Sequence, residues 1–152
     1  MRPGKNIDRA DRVKSVERQF LVAKRTLESF EVALKTRSDL LTAISLNAAD
    51  LWAFKSELTD TYFIRLFAEF ETAIKDYWKN GMKHEPTTRI MDVIDSLAAN
   101  RKVPDSVRVN VHAARKWRNK LVHEGEADAS AVELTVARGS FCKFLGFLPP
   151  DW

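Results

Sequence analysis

With one cysteine, Cys142, the chain has no internal disulfide and no cysteine cluster of the kind that holds zinc. Histidine is nearly as scarce, three in all, and the sequence HEGEA lacks the second His of a zinc-binding helix. The five glycines include no pair spaced for a nucleotide-binding loop, and no G-x-S-x-G elbow occurs. Neither a metal nor an organic cofactor is therefore expected. No apolar run approaches the length of a membrane span. The opening MRPGKNIDRADRVK has no apolar signal core, so a cytoplasmic location without a membrane partner is the expectation. Internal repeats and low-complexity segments are also missing.

What is present suits a helical domain. Few Gly and Pro, with 45% apolar and 30% charged residues, fit an all-α chain, and 152 residues suffice for one domain over 1–152 with one core. A long helix is expected from about Ile7 to Thr36, because Val13, Val16, Phe20, Ala23, Leu27, Phe30 and Leu34 recur every three or four residues. Residues 38–58 keep no sustained period and read as short helical pieces and turns, with Ile44, Leu51, Trp52 and Phe54 among the apolar residues tucked against the bundle. A second helix is expected from about Thr59 to Asn80. It has Phe63, Leu66, Phe67, Phe70, Ile74 and Tyr77 on its core face and Gly81 as a left-handed stop. A shorter helix follows from about Thr87 to Ala99, with Ile90, Met91, Ile94 and Leu97 inward. Pro104-Asp105 opens the next, and Ser130 to Glu133 form a capping box for the last. The expected fold is an all-α, compact, up-and-down bundle of four to five helices with a short helical insert at 38–58.

Chemistry-bearing residues concentrate at Val111 to Gly125, VHAARKWRNKLVHEG. Plotted at about 100° per residue, Val107, Val111, Ala114, Trp117, Leu121 and Val122 fall on one side of a helix, and Arg118 falls in the middle of that side. A guanidinium stays charged, and a charge buried without a partner is costly, so a group on a neighbouring helix must meet Arg118. His112, Lys116, Asn119 and His123 form a second stripe. Gly125 is the expected left-handed residue after the helix, which puts His123 in the last turn, where the helix dipole favours a protonated imidazole. His123 is thus the expected proton donor or acceptor near neutral pH.

Two further features bear on the site. The net charge is +4, yet residues 101–120 hold seven Arg or Lys against the single acid Asp105, so this window carries +6 and the remainder −2. A basic face beside the motif suits a polyanion, with Arg115, Lys116 and Lys120 as backbone contacts, although charge runs are commonly just solvated helix faces. On the second helix Glu71 borders the apolar stripe and is the first choice to pair with Arg118. Its plainer reading is an ordinary helix-edge carboxylate.

The run Arg118-Asn119-Lys120-Leu121-Val122-His123 resembles the signature of HEPN domains, an Arg followed by a polar residue and, a few positions later, a His. Phe70-Glu71 resembles the "FE" pair many of them carry on an earlier helix. HEPN domains are bundles of four or five helices, so the resemblance covers nearly the whole chain. It implies a homodimer in which two Arg/His motifs meet to cut RNA, and, as a setting, a toxin or defence-system effector with an antitoxin or neighbouring protein as partner. One departure is visible. HEPN toxins paired with a nucleotidyltransferase antitoxin carry Tyr two positions after the His, where this chain has Gly125.

The residues themselves support the same chemistry. An imidazole can take the 2′-hydroxyl proton while a guanidinium and an amide hold charge on the phosphoryl oxygens, without a metal. Two proton transfers need two acid–base groups, and a two-fold dimer would supply the second His123. The expectation is a metal-independent endoribonuclease leaving 2′,3′-cyclic phosphate ends. His123 would be the acid/base, Arg118 the phosphate stabiliser, Asn119 an orienting donor and Glu71 the support of Arg118. Two alternatives stay open: a module that binds RNA or a nucleotide without cutting, and a helical accessory protein in which Arg118 and Glu71 form only a structural pair.

Overall fold

The periodic apolar residues of the first thirty-odd positions do form one helix, α1, Lys5–Leu34, in the computed structural model, which describes residues 4–87, 89–123 and 128–152. It is followed by α2 (Leu40–Ala43), α3 (Ala48–Asp76), α4 (Ile90–Asn100), α5 (Asp105–Val122) and α6 (Leu134–Gly146). The described residues are all-α, and their six α-helices pack as a compact bundle. The four long helices α1, α3, α5 and α6 make the body, α4 bridges α3 and α5, and Leu41 of the one-turn α2 lines a groove with residues of α1 and α3.

Polar pairs fix how the helices run. Glu31 meets Lys55, Gln19 meets Arg65, and Arg9 meets Asp76, so α1 and α3 are antiparallel. Glu17 meets Arg138 and Asn6 donates to the Leu148 carbonyl, so α6 also runs antiparallel to α1. Between them lies the aromatic core. Phe70 stacks on Phe141 at 4.4 Å and meets Phe144 edge-on at 5.5 Å, and Phe67 packs edge-on against Phe141. Phe63, Phe67, Phe70, Phe141 and Phe144 are all essentially inaccessible. Burying side chains of this kind contributes roughly 1.5–3 kcal/mol each.

The largest correction concerns residues 38–58. Instead of ending as loose pieces, this stretch contributes the first turns of α3, which begins at Ala48, eleven residues before the expected Thr59. A capping box makes the start. The Asn47 side chain accepts from the Ala49 and Asp50 backbone N–H groups, and Asp50 accepts from the Asn47 N–H at 2.9 Å. The irregular period has a tertiary cause. Between Val16 and Leu58 only Leu27 is buried, because here α1 and α3 face each other without α5 or α6 over them. Ile44, Trp52 and Phe54, expected against the bundle, are exposed at 59%, 71% and 52%.

Other boundaries shift for local reasons. Gly81 does end the second long helix, but not in a left-handed conformation. The helix widens into a π turn, Tyr77–Gly81, and a Cβ at Gly81 would run into the Tyr77 ring and approach Trp152 Cβ to 2.9 Å. Space, not backbone freedom, requires glycine there. The short helix starts at Ile90, and Met91 faces outward while Val93 is buried in its place. In α6 the capping box Ser130–Glu133 does not form; Glu133 stands at the N-cap without a side-chain bond, and the helix begins at Leu134. Trp152 is a packed anchor. Its indole N–H donates to Asp76 Oδ2 at 2.8 Å and its ring meets Tyr77 edge-on. No helix among the described residues is long and apolar enough to cross a membrane.

Candidate functional site

α5 starts at Asp105 after Pro104 and ends at Val122, so the expected motif helix is present with its boundaries nearly as read. Val111 and Ala114 are fully buried against the bundle, Val107, Trp117 and Leu121 are partly buried, and Val122 is exposed at 43%. The helix thus lies on the bundle most closely by its middle, and exposure rises along its C-terminal turn, where Leu121 still packs against the core.

Arg118 faces the core, as its place on the apolar side requires, but its partner is not the one expected. Glu71 is paired with Lys75, one turn along on α3, and no described carboxylate lies within ion-pair distance of Arg118. The guanidinium instead lies over the buried Phe67 ring, with Cζ 5.8 Å from the centroid, and donates to Asn119 Oδ1 at 3.2 Å. The physical reason is that Arg118 is only half-buried. A cation that keeps part of its hydration and rests on an aromatic face does not need a carboxylate. The "FE" pair is nevertheless next to the site in one respect: Phe67, one turn before Phe70-Glu71 on α3, is the residue that meets Arg118.

His123 is not in the last turn. It is the residue that leaves the helix, with φ −126° and ψ 126°, while its N–H still bonds the Asn119 carbonyl at 2.8 Å. Its side chain is exposed and makes no hydrogen bond within the described chain. Gly125, expected to terminate the helix, lies outside the described residues. The end of α5 therefore carries an imidazole in solvent and, five residues earlier, a guanidinium held on an aromatic ring and on the Asn119 side chain.

The three expected backbone contacts divide. Lys120 is engaged with its own chain, donating to the Ala129 carbonyl and lying 5.7 Å from the Trp117 ring centroid. Arg115 and Lys116 lie together on the other flank of α5, in a cleft of about 540 Å³ between α4, α5 and residues 128–132. There stands a cluster that the sequence reading left out. Asp95 on α4 bonds His112 Nε2 at 2.8 Å and accepts from Arg108 at 3.0 Å, while Arg108 also holds Asp105. Partial burial raises the Asp95 carboxyl, but the hydrogen bonds from His112 and Arg108, with their charges, outweigh it and hold the group below the ordinary carboxylate value. The signal for this cluster was in the spacing of Arg108 and His112, one turn apart; their acceptor, on another helix, was not.

Among the described residues no three His, Cys, Asp or Glu side chains are grouped so as to hold a metal ion. Cys142 is half-buried, and burial pushes its thiol up from the ordinary value, which makes it a poor nucleophile. The remaining imidazole, His84, packs on Trp78 with centroids 4.2 Å apart in an exposed connection. Compared with family models, with curated proteins and with solved structures, the chain matches none significantly.

Proposed function

We propose that the chain is a metal-independent endoribonuclease of HEPN type, acting as a homodimer in which the ends of two α5 helices face one RNA phosphodiester. The observation that supports this reading is the contrast at the end of α5. Arg118 is held on Phe67 and Asn119, whereas the imidazole of His123, five residues on, is exposed and makes no hydrogen bond among the described residues. A fixed cation and a free acid–base group are what the cleavage requires. One His123 accepts the proton of the 2′-hydroxyl, and that oxygen attacks the adjacent phosphorus. The bond to the 5′-oxygen breaks, and the partner's His123 delivers a proton to the departing oxygen. A 2′,3′-cyclic phosphate and a 5′-hydroxyl result. Arg118 meets the negative charge on the non-bridging oxygens, and Asn119 orients Arg118 through its side-chain oxygen.

Glu71 has no part in this reading, because Lys75 engages it. Lys116 and Arg115 carry the RNA contact on the exposed flank; Lys120 contributes less, being tied to Ala129. In a cell such an activity is that of a toxin or defence effector held in check by an antitoxin or neighbouring protein.

The test is incubation of the purified protein with transfer RNA and a mixed-sequence RNA in EDTA, with analysis of the product ends, beside the His123→Ala and Arg118→Ala variants. Cyclic-phosphate ends from the wild type alone are expected, with losses of roughly 10²–10⁴ in rate for either variant. Intact RNA in every lane, from a protein shown to be a folded dimer, would sink the reading in favour of an RNA-binding module.

A further inference from the structure

From Leu21 to Phe54 the hairpin of α1, α2 and α3 carries more than half of the large apolar side chains exposed among the described residues. Several of them share one groove of about 430 Å³, walled by Ala23 and Phe30 of α1, Leu41 and Ile44 at the tip, and Leu51 and Phe54 of α3. The lining is apolar except for Thr26 and Asp50, and Asp50 already accepts from the Asn47 N–H in the α3 cap. Val22, 66% exposed, continues the apolar surface along α1 through Ala23, which lines the neighbouring depression as well. Monomers seldom leave a contiguous apolar surface of this kind uncovered.

The two edges of the face carry opposite charge. On α1, Arg18 lines the depression beside Val22, and Arg25 follows two turns later on the same side. Arg18 has no ion pair, and Arg25 reaches only Glu28, at 3.7 Å and in the open, a contact that contributes little. On α3, Glu57 stands one turn after Phe54 and two after Asp50, exposed and without an ion pair among the described residues. A basic edge along α1 and an acidic edge along α3 are complementary to the same face turned about a two-fold axis. An axis parallel to the groove lays α1 of one copy over α3 of the other at the same level. Gln19 meets Arg65 and Glu31 meets Lys55 across the hairpin, so Arg25 stands level with about residue 60. The partner's Glu57 is then only about 4.5 Å of helix rise away, within reach of an arginine side chain. A two-fold axis across the groove would instead set α1 on α1 and bring the arginines together.

We infer that this face docks on the same face of a second copy of the chain, the two hairpins closing into a four-helix layer that buries the groove. Its size is sufficient. From Arg18 to Leu34 the face runs about 24 Å, and two helices make it about 20 Å wide. That is on the order of 500 Å² in projection and more along its corrugated accessible surface, against about 800 Å² per partner in a standard interface. A lipid surface fits less well, because Arg37 pairs with Asp39 and Lys55 with Glu31, which removes the basic field that anionic headgroups require. No residue of α5 lines the groove, so the interface is separate from the one proposed for RNA cleavage and does not rest on that reading. With both interfaces the chain forms a tetramer; with the hairpin face alone it forms a dimer.

The experiment is sedimentation equilibrium of the full chain from about 1 to 100 µM, read against the 17.4 kDa of one copy. Phe54→Asp sets a carboxylate in the covered face and should weaken the hairpin association roughly a hundredfold or more, halving the mass where the wild type is assembled. Arg25→Glu and Glu57→Arg, both at exposed positions that tolerate the change, should each weaken it roughly tenfold, since two opposite-charge contacts per dimer become like-charge ones. The double variant should return to near the wild-type constant. Circular dichroism checks that each variant keeps its helix content. A wild type that is monomeric at 100 µM, a mass unaltered by Phe54→Asp, single reversals without effect, or a double variant that repairs nothing would each overturn the inference. So would flotation of the wild type, and not of Phe54→Asp, with vesicles of mixed phosphatidylcholine and phosphatidylglycerol, which would assign the face to lipid.

Discussion

Replacing Trp152 by Phe isolates one hydrogen bond that ties together three distant parts of the chain. Asp76, where α3 gives way to the π turn, accepts from Arg9 at 3.0 Å, from Asn80 at 2.6 Å and from the Trp152 indole at 2.8 Å. Phe keeps a ring against Tyr77 but cannot donate. A hydrogen bond to a charged acceptor contributes about 1.5–3 kcal/mol. Because Arg9 and Asn80 still satisfy the carboxylate, the low end applies, about 1.5 kcal/mol at pH 7. Trp152→Ala also removes the edge-on contact with Tyr77, a further ~0.5–1.5 kcal/mol, together with the cation–π contact of Lys5.

Urea unfolding reads both, as a lower midpoint at unchanged slope. The penalty should depend on pH in a definite direction. Burial pushes the Asp76 carboxyl up, but the bonds from Trp152, Asn80 and Arg9 prevail and leave it below its ordinary value of 3.8. Its folded pKa is therefore depressed, and the stability it contributes is present above the unfolded value and lost as pH falls through the folded one. Trp152→Phe should accordingly cost less in acid, below the carboxylate range, than at pH 7. A cost within about 0.5 kcal/mol of zero at pH 7, the usual range for an inconsequential surface change, would refute the reasoning. So would a cost that does not diminish in acid.

Three other outcomes follow from particular contacts. Gly81→Ala should destabilise by about 1–3 kcal/mol through overpacking against Tyr77 and Trp152, seen as a lower thermal midpoint; a neutral result would mean that the π turn yields. Asn47→Ala should cost about 1–2 kcal/mol by removing the α3 cap, with hydrogen-exchange protection lost first over residues 48–52. Glu71→Gln should leave RNA cleavage within about twofold of wild type, as expected of a surface pair that does not touch the site; a loss comparable to Arg118→Ala would restore Glu71 as the support of Arg118.

The candidate site was legible in the sequence to the extent that one helix carries it. The 3.6-residue period of Val107, Val111 and Ala114 fixed both the existence of α5 and the inward direction of Arg118, because direction around a helix depends only on position along it. What Arg118 meets there depends on α3, and the answer is the face of Phe67 where a carboxylate was expected. The Asp95–His112–Arg108 cluster was missed for the same reason. His112 was legible as part of a stripe on its own helix, but Asp95 stands on another, and only the packing of α4 on α5 puts Asp95 within 2.8 Å of His112.

Composition, apolar period and helix breakers by themselves determined an all-α chain, the course of α1 and α5, and the aromatic stripe from Phe63 to Tyr77 that becomes the core. These are consequences of local geometry and of the preference of apolar side chains for burial. Only the tertiary structure decided where α3 begins. Burial patterns are written into a sequence only where a segment is covered, and residues 48–57 have α1 and the short α2 segment beside them and no buried side chain of their own. It also decided that Gly81 is required by the volume of Tyr77 and Trp152, and that the Arg115 Nε is buried with no acceptor among the described residues. Each of these turns on atoms far apart in the chain, whose separation no local pattern encodes.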